Sequence, residues 1–146
     1  MNGPTSRYLV DTNVFLYARG PEHRYRAPCR RILTGMRDGE IQLLASVELI
    51  QEFVHVLLLR GLDRSLVMDE AGEARRQCTM QPFDGQVLTT ALGLLRHYPG
   101  LGARDAVHTA TAIAAGVPRV LSADRVFDDL DEVERVDPVS AAAELA

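Results

Sequence analysis

Residues 8–18 constrain the fold of this chain more than any other stretch. They begin as a short apolar run that favours β structure, and the run ends in an acid, Asp11, followed by two small polar residues. Apolar residues then resume at helical spacing. This pattern is typical of a buried parallel strand that delivers a carboxylate to the edge of its sheet, where ligands bind in open α/β folds. The question is then which other acids reach the same edge.

The composition is that of an ordinary globular protein, and its 146 residues fit one domain. No apolar run is long enough for a membrane helix and the N-terminus lacks a signal peptide, so we expect a cytoplasmic protein with reduced cysteines and no membrane contact. The net charge of −4 argues against a broadly basic nucleic-acid binder but not against an acidic, metal-filled cleft that accepts phosphate. All 16 basic residues are arginines, which excludes every mechanism that needs a lysine.

Strands and helices alternate along the chain, which predicts an α/β fold with a short parallel sheet of about four or five strands between helices. Strands are predicted at residues 8–10, 41–45, 79–83, 119–122 and 133–136. Helices are predicted at residues 13–18, 22–37, 47–60, 64–77, 85–97 and 104–115. Pro82 places the third strand at an edge. Residues 1–6 are expected to be a loose leader, and residues 137–146 a C-terminal tail or short helix.

Four acids are candidates for one cluster at the carboxyl edge of this sheet. Asp124 follows the strand at residues 119–122, so it lies near Asp11 if the two strands are neighbours. Glu52 lies on the helix after the second strand, at the border of its apolar face. Its rival is Glu48, although a first-turn acid also interacts favourably with the helix dipole. Asp105 begins the helix after a glycine-rich turn and projects toward the same edge.

Each acid also has an ordinary structural explanation. Asp11 and Asp105 could cap or begin helices, and Asp124 could be a turn acid. Glu52 alone is typical of a solvated helix residue. The acidic run after Asp124 is typical of a solvated surface, and within it Asp128, one helical turn later, is the best additional candidate. Only the joint placement of the four acids favours a functional site.

Together these residues resemble the PIN-domain nucleases, and in particular the VapC-type toxins of toxin–antitoxin pairs. The motifs that carry the resemblance are Leu9-Val10-Asp11-Thr12-Asn13, Gln51-Glu52-Phe53, Arg104-Asp105-Ala106-Val107-His108 and Leu121-Ser122-Ala123-Asp124-Arg125-Val126-Phe127. The resemblance extends from about residue 8 to residue 136, and its second motif favours Glu52 over Glu48. It implies a three-layer PIN-like (Rossmann-like) fold.

The resemblance also implies a ribonuclease that uses Mg²⁺ or Mn²⁺, which are hard cations that prefer oxygen ligands. A metal-bound water would attack the phosphodiester in line and leave 5′-phosphate and 3′-hydroxyl ends. We expect Asp11, Asp105 and Asp124 to be the principal metal ligands. Glu52 would complete the acidic cluster, and it and Asp128 are the further candidate ligands.

Other residues of the motifs are assigned supporting or structural roles. Three polar side chains are expected to hold ligands or waters by hydrogen bonds, namely Thr12, Asn13 and Ser122. His108 is interpreted as a packing residue rather than a catalytic one. Arg104 and Arg125 flank two of the acids, and we interpret them as solvated surface residues, with contact to substrate phosphate as the alternative.

Several other protein classes also place an acid after the first strand. Haloacid-dehalogenase-type phosphatases need a second Asp where Asn13 stands, and they, receiver domains and Walker-type enzymes all need a lysine. A catalytically silent PIN-like scaffold is disfavoured because all four acid positions are filled. A PIN nuclease that processes RNA outside a toxin system stays open. The expected partners are an RNA substrate, a small VapB-type antitoxin that masks the cleft, and a second copy of the chain.

Overall fold

The computed structural model describes residues 5–145, and its centre is a five-stranded sheet with the strand order β3-β2-β1-β4-β5. Each strand is parallel to its neighbours. The strands are β1 (Ser6–Val10), β2 (Ile41–Ser46), β3 (Thr79–Gln81), β4 (Arg119–Leu121) and β5 (Glu134–Val136). Leu9 is in register with Leu44 of β2 and with Val120 of β4, which places β1 in the middle. The predicted parallel sheet is confirmed, with β3 at an edge.

Helices cover both faces of the sheet. In the described part of the chain they are α1 (Thr12–Arg19), α2 (Arg26–Arg37), α3 (Val47–Leu59), α4 (Arg64–Gln77), α5 (Gly85–His97), α6 (Ala103–Ala115) and α7 (Pro138–Glu144), with one 3-10 helix, Arg125–Asp129. Tyr8 and Val10 of β1 pack into a core formed with α1 to α4 and α7, whereas Leu9 packs into a second core formed with α5 and α6. This alternation along a strand gives three layers. Within residues 5–145 no helix is long and apolar enough to span a membrane.

The turn before α2 departs from the predicted helix. The sequence predicts a helix from residue 22, but α2 begins at Arg26. The backbone N–H of Tyr25 donates to Nδ1 of His23 at 3.1 Å, and the His23 ring stacks on Tyr17 with 4.7 Å between centroids. These contacts hold the segment in a turn, because a side chain that bonds its own neighbouring backbone competes with helix formation.

The structure also differs from the prediction near both ends of the described residues. Residues 1–4 of the expected leader, and residue 146, lie outside the described residues, while Ser6 already belongs to β1. The expected C-terminal tail contains α7, which is the short-helix alternative. Asp137 caps it by accepting a hydrogen bond from the Val139 N–H at 2.9 Å, and Pro138 occupies its first position.

The two cysteines, Cys29 and Cys78, are free and buried, as expected. Burial raises the pKa of both thiols to about 12. They are therefore packing residues without nucleophilic character at neutral pH.

Candidate functional site

One serine hydroxyl connects the carboxyl ends of β1 and β4. The backbone N–H of Asp11 donates to the Leu121 carbonyl at 3.0 Å, which extends the pairing of the two strands. The Ser122 hydroxyl donates to Oδ2 of Asp11 at 2.6 Å. It also accepts hydrogen bonds from the side-chain amide of Asn13 at 3.1 Å and the backbone N–H of Asp124 at 3.0 Å. A hydroxyl has one donor and two acceptor positions, so Ser122 uses all of them and fixes Asp11 relative to the loop that carries Asp124.

Asp11 occupies the N-cap position of α1, yet its side chain makes no capping hydrogen bond. Its carboxylate is directed instead toward Ser122, and its Oδ1 lies 3.6 Å from Nε2 of His108. Burial raises the pKa of Asp11 above its ordinary value, although His108 and Ser122 partly offset the effect. The capping explanation therefore does not account for this buried acid.

Glu52 reaches the same cluster from α3. Its Oε2 accepts a hydrogen bond from the Thr12 hydroxyl at 3.1 Å and lies 3.7 Å from Nε2 of His108. Its Oε1 lies 3.4 Å from the Arg104 guanidinium. Burial alone would raise the pKa of Glu52, but His108, Thr12 and Arg104 together lower it. The structure thus brings Glu52 against the start of α1 and against α6, whereas Glu48 lies in the first turn of α3.

Asp105 lies in the first turn of α6, after the N-cap residue Gly102. Burial and the negative charges of Asp11 and Asp124 raise the pKa of Asp105 to about 6. Asp105 therefore lies close enough to Asp11 and Asp124 for their charges to act on it. A carboxylate that is surrounded by like charges is strongly stabilised when a cation binds in the cluster.

Asp124 and Asp128 lie near the surface of the loop after β4. Asp124 is exposed and caps the 3-10 helix, with its Oδ1 accepting from the Val126 N–H at 3.0 Å. The Asp128 carboxylate is paired with Nε of Arg135 at 2.9 Å, and the same guanidinium donates to the Ser122 carbonyl at 3.1 Å. Asp128 therefore has a structural partner, through which it supports the backbone of Ser122.

His108 is the site residue that the sequence did not predict. It is buried as expected, but its Nε2 lies between Asp11 and Glu52, and neither ring nitrogen has a hydrogen-bond partner within residues 5–145. Burial by itself lowers the pKa of His108, but Glu52, Asp11 and Asp105 outweigh it and raise the pKa above its ordinary value. The available signal was its spacing from Asp105, which puts both on one face of α6.

The donor set of this acidic cluster fits a hard divalent cation. Its carboxylate and hydroxyl oxygens are the ligands that Mg²⁺ and Mn²⁺ prefer. Within residues 5–145 no three acid, histidine or cysteine side chains form a ready-made metal shell. Mg²⁺ usually keeps several waters and uses one or two carboxylates directly, so an open cluster suits it. Arg104, with 65% of its side chain exposed, lies at the rim, and Arg125 is also exposed.

Comparisons with known proteins agree with this architecture. A family model described as PIN domain matches residues 8–133. The chain is 38% identical over 135 residues to "Ribonuclease VapC7" of Mycobacterium tuberculosis, covering 91% of this chain and 92% of the relative. It is 35% identical over 120 residues to "Ribonuclease VapC23" of the same species, covering 82% and 94%.

Solved structures of low sequence identity share the fold. A chain of VapBC2 from Rickettsia felis, solved bound to a DNA fragment from its promoter, superposes with a TM-score of 0.68 at 13% identity. The match covers 90% of this chain and 98% of that one. A chain from a toxin-antitoxin complex of Klebsiella pneumoniae has a TM-score of 0.65 at 16% identity, covering 90% and 97%. At these identities the likeness establishes the fold.

Proposed function

This chain belongs to the PIN domain family, and from that premise we propose that it is a metal-dependent endoribonuclease that cleaves RNA phosphodiester bonds. One observation carries the proposal: the acid that follows β1, one acid each from α3 and α6, and the acid that follows β4 lie together at the carboxyl edge of the sheet, where the pKa of Asp105 is raised to about 6. Unrelieved repulsion of this kind is unfavourable for a purely structural cluster. The curated relatives that cover most of the chain are named as ribonucleases.

Asp11, Asp105 and Asp124 are the residues that would hold Mg²⁺ or Mn²⁺, directly or through water, with Glu52 completing the cluster. The bound ion would supply an activated water and neutralise charge on the phosphate during in-line attack. The chain itself prepares the site, because Ser122 orients Asp11 and Thr12 orients Glu52 through hydrogen bonds of 2.6 and 3.1 Å.

Two basic side chains lie against the acids. His108 lies within 3.7 Å of both Asp11 and Glu52, and these acids raise its pKa, which favours the protonated form that offsets their charge. Arg104 is 3.4 Å from Glu52 and mostly exposed, so its guanidinium can turn toward a substrate phosphate at the mouth of the cleft. A substrate phosphate that enters the cleft would thus contact Arg104 before it approaches the acids.

The decisive experiment is cleavage of a pool of structured RNAs by the purified protein with Mg²⁺, with Mn²⁺ and with EDTA. Asp11→Asn and Asp124→Asn are tested in parallel, with folding checked by circular dichroism. Asp69→Asn is the matched control, since Asp69 is an exposed acid on α4. We expect metal-dependent cleavage by the wild type and the control that both folded site variants lose. Cleavage that survives EDTA and both substitutions would refute the carboxylate–metal mechanism.

We further propose that the ribonuclease is the toxin of a VapBC-type pair and binds a VapB-type antitoxin that covers the cleft. The basis is the name of the curated relatives together with the fold shared with chains from toxin–antitoxin complexes. Induced expression of the wild type should stop growth, and Asp11→Asn should not. Co-expression of the protein encoded beside it should restore growth and copurify. Normal growth with active wild-type enzyme would favour an RNA-processing nuclease outside a toxin system.

A homodimer is the expected assembly, and the apolar face of α5 is its candidate interface. Leu88 and Leu92 lie one helical turn apart and are 45% and 55% exposed. Their burial against a second copy would remove apolar surface from water. We expect a dimer by light scattering that Leu88→Glu together with Leu92→Glu converts to monomer. Leu59→Glu, at a leucine that is 75% exposed on α3, should leave the dimer intact.

A further inference from the structure

We infer that a pocket beside the acidic cleft stacks an unpaired nucleobase of the RNA substrate, an inference that rests on the proposed ribonuclease function. This α1 pocket lies between α1, the turn before α2 and the end of α3, and encloses about 340 Å³. That volume is within the range of small-ligand sites. The lining residues that matter for recognition are Asn13, Leu16, Tyr17, Glu22, His23 and Arg60.

One residue belongs to both the α1 pocket and the acidic cluster. Asn13 lines the pocket, and its side-chain amide donates to the Ser122 hydroxyl that holds Asp11. Tyr17 lies one helical turn further along the same side of α1. An RNA strand with its scissile phosphate at Asp11 would therefore bring a neighbouring nucleotide to Tyr17.

The aromatic rings of the α1 pocket are held in place before any ligand arrives. His23 is exposed, but its ring stacks on Tyr17 at 4.7 Å with 26° between the planes, and it stacks on Tyr25 at 5.8 Å and 20°. Nδ1 of His23 accepts a hydrogen bond from the Tyr25 backbone N–H at 3.1 Å. Tyr25 is itself buried and donates its hydroxyl to Asp137 at 2.8 Å. A fixed stack binds a base with little loss of side-chain freedom.

The charges around the α1 pocket favour a phosphodiester chain. Arg60 is exposed at the end of α3, and no ion pair within residues 5–145 involves it. Glu22 also lines the pocket, but its carboxylate is paired with Arg26 at 3.1 Å. An aromatic stacking surface next to the Arg60 guanidinium matches one nucleotide, which joins the flat face of a base to an anionic phosphate. Sequence-specific RNA recognition commonly uses such unstacked bases.

The test is single-turnover cleavage in Mg²⁺ of a single-stranded RNA that carries the fluorescent base 2-aminopurine near the cleaved bond. Quenching before cleavage reports stacking of that base, and the enzyme concentration at half-maximal rate reports binding. We expect Tyr17→Leu to abolish the quenching and weaken binding about fivefold or more with little change in the maximal rate. Tyr17→Phe keeps the ring and should retain both. Arg60→Gln should weaken binding and reduce its salt dependence, whereas Arg64→Gln, at an exposed arginine on α4, should not.

The outcomes separate this inference from the proposed function. Normal metal-dependent cleavage with unchanged binding and quenching in Tyr17→Leu would refute the α1 pocket as a base site while the ribonuclease stands. A Tyr17→Leu variant that binds RNA normally but loses the antitoxin would also refute it, since the pocket would then be a protein-docking site. Absence of metal-dependent cleavage in the wild type would refute the proposed function, and the inference with it.

Discussion

Replacing Asp105 by asparagine should stabilise the metal-free protein while it inactivates the enzyme. Burial and the charges of Asp11 and Asp124 raise the pKa of Asp105 from 3.8 to about 6. A carboxyl group that is harder to ionise in the folded than in the unfolded chain makes folding less favourable at neutral pH. Asparagine has nearly the same shape and no charge, so the variant escapes this penalty.

The magnitude follows from the size of the shift. At 1.36 kcal/mol per pKa unit, a rise from 3.8 to about 6 corresponds to about 3 kcal/mol. Asp105 is partly exposed, so solvent screening reduces the expected gain to about 1–2 kcal/mol. Because the folded-state pKa is the raised one, the penalty is complete above pH 6 or so, shrinks as the pH falls toward 3.8, and is absent below it.

The assay is urea unfolding in EDTA at neutral and mildly acidic pH, with Asp69→Asn as the control for neutralising an exposed helix acid. We expect Asp105→Asn to be more stable than the wild type at neutral pH and the difference to diminish toward pH 4 or so. Mg²⁺ should stabilise the wild type more than the variant. A variant that is less stable than the wild type in EDTA at neutral pH, or a gain that does not change with pH, would refute the reasoning.

Three further substitutions probe the supports of the site. Ser122→Ala leaves Asp11 and two N–H donors without their partner. It should therefore lower the free energy of unfolding by about 1–3 kcal/mol and the cleavage rate by about tenfold or more. Ser65→Ala, on the surface of α4, is the control. Asp128→Asn should leave the Mg²⁺ affinity measured by calorimetry unchanged. It should lower the free energy of unfolding by less than about 1 kcal/mol, because the Asp128 carboxylate is 48% exposed and paired with Arg135. A large loss of Mg²⁺ affinity would instead identify Asp128 as a metal ligand. Gly116→Ala should destabilise the protein by about 1 kcal/mol in thermal melts, because Gly116 ends α6 with a φ of 70°, a conformation that strains any residue with a Cβ. An added Cβ would meet no atom of the described residues within 4 Å, so the cleavage rate of the folded protein should not change.

The sheet and the meeting of its acids could be predicted because both depend on local patterns. A β-favouring apolar run that ends in an acid identifies β1, and the parallel arrangement brings the carboxyl ends of β1 and β4 to one edge. Ser46 stands directly before the helix predicted at residues 47–60, and its hydroxyl accepts from the Glu48 N–H at 3.2 Å, as a serine N-cap does. These features need only neighbouring residues and a fold class.

The partners of His108 and Asp128 could not be predicted because they depend on distances between elements. His108 lies between two carboxylates because α6 packs against β1 and brings Nε2 of His108 within 3.7 Å of Glu52 on α3, which the spacing of residues along α6 does not encode. Asp128 is paired with Arg135 across the connection between the 3-10 helix and β5. The helix predicted at residues 22–25 is wrong for a related reason, because the His23 ring stacks on Tyr17, which belongs to another helix.

The acids of the cluster differ in how they are restrained, and that difference connects stability with catalysis. Asp11 and Glu52 each accept a hydrogen bond from a buried hydroxyl, Ser122 and Thr12 respectively. The pKa of Asp105 is set by burial and by neighbouring charges, and within residues 5–145 no hydrogen bond to its carboxylate offsets them. The apolar cores on both faces of the sheet must therefore supply the free energy that holds this carboxyl group among like charges. A metal ion would relieve that penalty, so the property that makes the metal-free fold less stable is the one that favours metal binding.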